Sequence, residues 1–162
     1  MSEDRVLTRD GAAAWAADQR AAGRRVVFTN GVFDLLHVGH ARYLREARSL
    51  GDVLIVGINA DDSVRRLGKG PDRPINPEDE RAELVASLRC VDAVCVFPED
   101  TPVELIRAVR PDLHVKGGDY ASPDVLPETA VVRACGGDVR ILSLVPGRST
   151  TRLVAKLKEN PA

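Results

Sequence analysis

Five short apolar runs, each followed by a stretch of helical spacing, constrain this chain more than any other feature. They are RVVFTN (25–30), DVLIVGIN (52–59), DAVCVF (92–97), DLHVKG (112–117) and DVRILSLV (138–145). Each is short and rich in Val, Ile or Leu, so each reads as a buried strand. Their near-continuous apolar character means a sheet covered on both faces. Strands separated by single helices pair in parallel through right-handed crossovers. The expectation is an α/β, doubly wound, Rossmann-like fold: a five-stranded parallel sheet with helices on both faces.

The intervening stretches carry their own start and stop signals. Thr8 can cap a helix running to about Ala22, ended by Gly23. A second runs from about Val38 to Leu50, with Leu44, Ala47 and Leu50 on one face, and Gly51 stops it. A short helical piece, ADDSVRRLG, leads into a loop rich in Pro, Gly and charge, KGPDRPINP (69–77). Pro77 suits a first helical position, and Glu78, Asp79 and Glu80 complement the dipole of a helix reaching about Arg89. Thr101 as cap and Pro102 as first residue open another, which ends before Pro111. A helix around 127–135 and a last one from about Ser149, carrying Leu153, Val154 and Leu157, complete the set. The 162 residues read as one domain, with residues 1–23 a helical extension packed on it. A domain of this size buries roughly two-thirds of its unfolded surface. With aromatics at 4%, Val, Leu, Ile and Ala must fill the core.

Composition narrows the function classes. A net charge of −1 with interspersed signs leaves no electrostatic footprint for nucleic acid or an anionic membrane. Phosphate binding, if present, must come from a local site. Cys90, Cys95 and Cys135 are odd in number and lack a C-x-x-C spacing, which reads as reduced thiols. No signal peptide and no apolar run near the ~20 residues of a membrane span are visible. The expectation is a soluble, cytoplasmic protein.

In open parallel sheets the ligand crevice lies beyond the carboxyl ends of the strands. Three segments that follow strands combine glycine with donors able to face phosphate: TNGVFDLLHVGH (29–40), KGGDY (116–120) and GRSTT (147–151). The first is the sharpest. His37 and His40 flank Gly39 where a loop enters a helix, whose free backbone N–H groups and positive dipole end favour anions. Gly39 lets a phosphate or ribose approach the backbone. Two imidazoles one turn apart can each donate to phosphate oxygens. Transfer at an α-phosphorus is in-line displacement, for which alignment and charge stabilisation suffice. No Ser-His-Asp order, zinc spacing or paired carboxylates point elsewhere. G-x-G-x-x-G is absent, and the GKG at 68–70 lacks P-loop spacing.

TNGVFDLLHVGH resembles the signature of the HxGH nucleotidyltransferase superfamily. NADDSV (59–64), RPINP (73–77), RAELVASLRCVD (81–92), EDTP (99–102), PD (111–112), VKGGDY (115–120) and PGRSTT (146–151) narrow the resemblance. Together they are similar to the D-glycero-β-D-manno-heptose 1-phosphate adenylyltransferase family, from about Arg24 to Leu157. The resemblance implies transfer of AMP from ATP to heptose 1-phosphate, giving ADP-heptose and pyrophosphate. It also implies a homodimer and a magnesium ion held mainly by the triphosphate, with no protein-built metal site. That family also occurs as the C-terminal half of a bifunctional kinase–adenylyltransferase. No kinase half precedes the motif here, so a separate kinase is expected.

Carried over by position, the resemblance gives His37, His40 and Lys116 catalytic roles on the phosphates. Thr29, Asn30, Gly31, Phe33, Asp34, Gly39, Gly117, Gly118, Asp119, Ser149 and Thr150 would form the nucleotide site. Asp34 either contacts ligand or braces its loop through backbone N–H groups. Asn59, Asp61, Lys69, Arg73 and Arg81 are candidates for the substrate. Lys69 and Arg73 could instead be solvated loop charges, and Arg81 could brace its helix. His114 reads as a satisfied core histidine. LVPGRST (144–150) lacks the leading Arg-Thr usual in glycerol-phosphate and choline-phosphate cytidylyltransferases, which disfavours CTP. Two alternatives stand beside the adenylyltransferase: a cytidylyltransferase on another sugar or polyol phosphate, and a nucleotide-binding module without turnover.

Overall fold

The five expected strands all form, and a sixth joins them at one edge. The computed structural model describes residues 3–144 and 146–159. The strands are β1 (Val6–Leu7), β2 (Val26–Gly31), β3 (Val53–Asn59), β4 (Ala93–Phe97), β5 (Leu113–Gly117) and β6 (Asp138–Leu142). They make one sheet in the order β1-β4-β3-β2-β5-β6, every pair parallel. The five-stranded count is corrected by β1, which pairs with β4 through Val6 opposite Val94 and Leu7 opposite Cys95. Two residues are too few to show a period, so sequence pattern carried no signal for it. β6 ends at Leu142, and Val145, the expected end of that run, lies outside the described residues.

Seven α-helices connect the strands among the described residues: α1 (Arg9–Ala21), α2 (Val38–Ser49), α3 (Asp61–Arg66), α4 (Glu78–Ala86), α5 (Val103–Val109), α6 (Thr129–Ala134) and α7 (Thr150–Glu159). Thr8 caps α1, its hydroxyl accepting from the Gly11 N–H. Pro77 and Pro102 each precede their helix as the cap residue, one position earlier than expected, and Thr101 is not the cap of α5. α4 ends at Ala86, three residues short of Arg89. No helix among the described residues is long and apolar enough to cross a membrane.

The sheet has an apolar layer on each face. Ala12 and Ala16 of α1, Leu105, Ile106 and Val109 of α5 and Val132 of α6 pack on Phe28, Ile55 and Phe97. On the opposite face Leu44 and Ala47 of α2 and Ala82, Val85 and Ala86 of α4 pack on Val27, Leu54, Val56 and Val115. The chain runs outward from β2 to β3 to β4, then crosses back to β5. Crossovers of one hand running in opposite directions must lie on opposite faces, and α2 and α5 do. The reversal falls beside β2, so the crevice expected at such a switch point opens at the tips of β2 and β5.

Gly57 sits in the middle of β3, where a Cβ would stand 3.1 Å from Leu105 Cδ2 and Phe28 Cζ and 3.2 Å from Phe97 Cε1. Two aromatic rings and α5 close on the sheet over that bare backbone. Gly57→Val is therefore expected to lower unfolding free energy by about 1–3 kcal/mol through overpacking, measured by urea denaturation. Unchanged stability would show that the core over Gly57 is loose.

Candidate active site

The 29–40 segment turns off the tip of β2 and enters α2 at His37. His37 is the N-cap, and its Nδ1 accepts from the Gly39 N–H at 3.1 Å. His40 Nδ1 accepts from the His37 N–H at 3.3 Å. Because both Nδ1 atoms accept, the protons of the two neutral rings lie on Nε2, free to donate away from the backbone. The rings stack with centroids 3.9 Å apart, and Phe33 lies against His40 at 5.2 Å. Gly39 is needed for this arrangement: a Cβ there would stand 2.8 Å from the His37 ring. Phe33 takes a left-handed backbone, φ 50°, a conformation uncommon outside glycine.

Burial pushes the His40 pKa down to about 4, with the neighbouring His37 and Lys69 adding to the effect. His37 is lowered in the same direction by burial and then by Arg148. Both rings are accordingly neutral donors at pH 7.

Asp34 lines the same cavity as the pair at 1% exposure. Its carboxylate accepts from Arg73 Nε at 2.5 Å, from the Ile75 N–H at 2.9 Å and from the Asn76 N–H at 3.0 Å. Burial alone would raise its pKa, but the backbone donors of Asn76 and Ile75 and the Arg73 guanidinium outweigh it and hold the group below the usual range. Of the two readings of Asp34, the structure gives the loop brace. It also binds Arg73, 8% exposed, into that brace rather than leaving it a solvated charge.

Arg81 is fully buried. It donates through Nε to the Asn76 carbonyl, through Nη1 to the Val32 and Asn59 carbonyls, and through Nη2 to Asp61 Oδ1. Of the two readings of Arg81, that set of bonds gives the brace, here joining three loops. Asp61 is turned to the same task, and the Asn59 amide donates to Ser63 Oγ at 2.9 Å.

Across from the imidazoles stands the start of α7. Ser149 Oγ accepts from the Arg152 N–H, and Thr150 Oγ1 donates to the Leu35 carbonyl at 2.9 Å, tying this helix to the motif loop. Two helix N-termini thus converge on one cavity of about 230 Å³, lined by His37, His40, Lys69, Arg73, Arg148, Ser149 and Thr150 among others. It continues past His37, Arg148 and Ser149 into a groove of about 520 Å³ along α7. Such a place favours anions. Lys69 lies there partly buried, its pKa lowered by burial and then by Arg73. A larger groove, about 660 Å³, lies behind α2 against Arg45, Arg48 and Arg89, away from both histidines.

Other expected contacts fall elsewhere. Thr29 is buried and its hydroxyl pairs with Tyr43 Oη at 2.7 Å; since Tyr43 donates to the Val115 carbonyl, Thr29 donates to Tyr43. The space beside Gly117, expected to admit nucleotide, is taken by Leu144 and Tyr43: a Cβ would stand 2.6 Å from Leu144 Cδ2. Gly118 has φ 145°, and a Cβ there would stand 2.8 Å from Tyr120 Cε2; Asp119 is exposed. Lys116 is 3.6 Å from Glu128 Oε1 and lines a second cavity with Asn30, Gly31 and Asn59, rather than the histidine cavity. His114 is fully buried; Nε2 meets Asn30 Oδ1 at 3.2 Å, but Nδ1 has no partner among the described residues, so the core reading holds and its full satisfaction does not.

Tyr43, Arg148 and Glu128 line these cavities without having been singled out. Tyr43 lies one turn beyond His40, a spacing that puts both on one face of α2. Arg148 stands just before the capping serine. Glu128 follows a turn in sequence with no motif around it.

Among the described residues no group of three His, Cys, Asp or Glu is placed to hold a metal. Asp34, the carboxylate of the histidine cavity, has its oxygens taken.

A parallel sheet with an imidazole pair at its switch point defines a nucleotide-binding α/β enzyme. Residues 28–141 match the family model described as cytidylyltransferase-like. The D-beta-D-heptose 1-phosphate adenylyltransferase of Bordetella bronchiseptica is 53% identical over 97% of this chain and 96% of its own. The bifunctional protein HldE of Trichlorobacter lovleyi is 51% identical over 98% of this chain, which spans 32% of that longer protein. The crystal structure of the lipopolysaccharide core biosynthesis protein from Thermoplasma volcanium superposes with a TM-score of 0.64 and 32% identity, covering 76% of this chain and 98% of that one. The chain belongs to the cytidylyltransferase-like nucleotidyltransferases, in the family that includes the heptose 1-phosphate adenylyltransferases.

Two outcomes follow. A histidine whose folded pKa is depressed adds stability that is fully present above its unfolded value of 6.5 and is lost as pH falls toward the folded one. Unfolding free energy should thus decline from pH 6.5 to about 4, and the decline should be shallower in His40→Gln; equal slopes in urea titrations would refute it. Asp34→Ala strands the buried Arg73 charge and should cost about 3–5 kcal/mol, read from the same titrations.

Proposed function

We propose that the protein transfers AMP from ATP to D-glycero-D-manno-heptose 1-phosphate, giving ADP-heptose and pyrophosphate. The observation that carries this reading is the neutral, stacked pair His37 and His40 facing the N-terminus of α7 across one cavity. The near full-length likeness to a protein named for that reaction supports the acceptor.

In this reading a phosphate oxygen of the sugar attacks the α-phosphorus of ATP in line. The new P–O bond forms as the bond to the bridging oxygen of the β-phosphate breaks, and pyrophosphate leaves with those electrons. Nε2–H of His37 and of His40 donate to the non-bridging and leaving oxygens, where charge grows. Donors preorganised in a water-poor cavity are worth most at that moment. Lys69 and Arg148 supply positive charge on either side, and Ser149 and Thr150 present the mouth of α7 to the β- and γ-phosphates. Magnesium, when bound to the triphosphate, neutralises part of its charge. Asp34 and Arg81 touch no reacting atom; they hold the loops that do. The three free cysteines support a reducing compartment such as the cytoplasm, and the family resemblance supports a homodimer.

A pyrophosphate-release assay crossing ATP and CTP with heptose 1-phosphate, other sugar phosphates and glycerol 3-phosphate tests the reading. Release with ATP and heptose 1-phosphate is expected; preference for CTP with a polyol phosphate would replace it, and no release with any pair would reduce the protein to a binding module. His40→Ala should lower kcat at least ~10²-fold, as loss of one transition-state donor does. Near-normal turnover in a folded variant would remove His40 from the mechanism.

A further inference from the structure

The second cavity, about 370 Å³, opens on the α5–α6 side of the strand tips. Strand alternation explains its lining. Asn30 follows Phe28, and Lys116 follows His114, on the sheet face those helices cover, whereas Thr29 and Val115 face α2. Val32 and Lys69 line both cavities, so the two meet at the tip of β2.

Glu128 sets this cavity apart. It is 2% exposed, its Oε1 has no hydrogen-bond partner among the described residues, and the Lys116 ammonium stands 3.6 Å away. A buried carboxylate oxygen without a donor is unfavourable unless something supplies one. The segment carrying it is braced. Ser122 Oγ accepts from the Asp124 N–H, Thr129 Oγ1 donates to the Pro123 carbonyl at 2.5 Å, and Arg133 pairs with Asp124. Leu126 and Thr129 are buried on either side.

Opposite stand donors. Asn30 Oδ1 only accepts, so His114 Nε2 carries the proton between them. That commits the carboxamide oxygen to His114 and leaves the Asn30 amide N–H groups for the cavity. A deep acceptor, an amide donor and two ammonium groups, Lys69 and Lys116, suit a molecule bearing both hydroxyls and phosphate.

We propose that this cavity takes the acceptor sugar phosphate and that Glu128 accepts hydrogen bonds from its hydroxyls, an inference that rests on the function proposed above. Lys69, at the junction, meets the acceptor phosphate as it approaches the histidine cavity. Lys116 serves as counter-charge to Glu128, and His114 is a positioning residue acting through Asn30.

The test is a cycle of enzyme against substrate. Wild type and Glu128→Gln are assayed with heptose 1-phosphate and with analogues each lacking one hydroxyl. For at least one analogue, wild-type kcat/KM should fall about 10–100-fold, the size of a lost hydrogen bond to a charged group. Glu128→Gln keeps an acceptor oxygen but loses the charge, so it should discriminate that analogue from the parent at least about 3-fold less than wild type does. KM for ATP should be the same in both enzymes, which a merely structural role for Glu128 would not predict. If the Gln variant does not fold, Glu128→Asp keeps the charge one methylene short and should raise KM for the sugar phosphate while leaving KM for ATP. Equal losses in both enzymes for every analogue would overturn the role of Glu128 while leaving the reaction intact. Absence of turnover of any sugar 1-phosphate by the wild type is a distinct result, and it overturns the parent reading and this inference together.

Discussion

The site depends first on one buried carboxylate. Asp34 is almost wholly removed from water and takes its hydrogen bonds from three residues of a loop some forty positions further on. The Asn76 side chain also donates to the Asp34 carbonyl at 2.9 Å, so the loop holds both the side chain and the backbone of Asp34. A carboxylate so placed is stable only with its partners in position, and so it fixes where they stand. Arg81 repeats the device from α4, gripping the carbonyls of Val32, Asn59 and Asn76. Between them the two residues determine the course of the chain into His37 and of the loop that carries Lys69. The histidine pair and Lys69 therefore stand on a scaffold of buried, paired charges.

That division explains what could be read in the sequence. The sheet was legible because buried strands announce themselves locally, as did α1 and α2 through Thr8, Gly23 and the spacing of Leu44 and Ala47. The histidine pair was legible because a glycine between two imidazoles at a helix start has few structural explanations. β1 was not, since two residues carry no period. Nor were the fates of Arg73 and Arg81, because an arginine on a loop or helix looks the same in sequence whether it faces solvent, phosphate or buried carbonyls. Only the fold decides which backbone oxygens lie within its reach. Glu128 was invisible for the same reason: its meaning comes from Lys116 and the wall of a cavity, both remote in the chain.

The sheet's two-residue alternation also divides the site in a way a motif list hides. A picture in which three strand tips grip one triphosphate treats the tip of β5 as another wall of the histidine cavity. Parallel register puts Val115 on the α2 face and Lys116 on the other. The start of α7 takes the wall that Lys116 was expected to supply, using Arg148, Ser149 and Thr150. Two compartments on opposite faces of one strand tip suit a reaction that joins two phosphates, because each reactant can be held by its own wall and meet the other at the edge.

The charge state of the imidazoles follows from the same geometry. Two stacked rings 3.9 Å apart, both accepting backbone N–H bonds at Nδ1, would have to give up those bonds to take a second proton there. Burial and the nearby Lys69 and Arg148 oppose it as well. The positive charge of the cavity thus resides in lysine and arginine, on flexible stems able to follow phosphates as they move apart. The directional bonds reside in neutral rings that the backbone holds still. In the proposed reaction, cationic histidines would attract the phosphates of substrates and products alike, and uniform attraction does not speed a chemical step. Fixed neutral donors aimed at oxygens whose charge grows during transfer do.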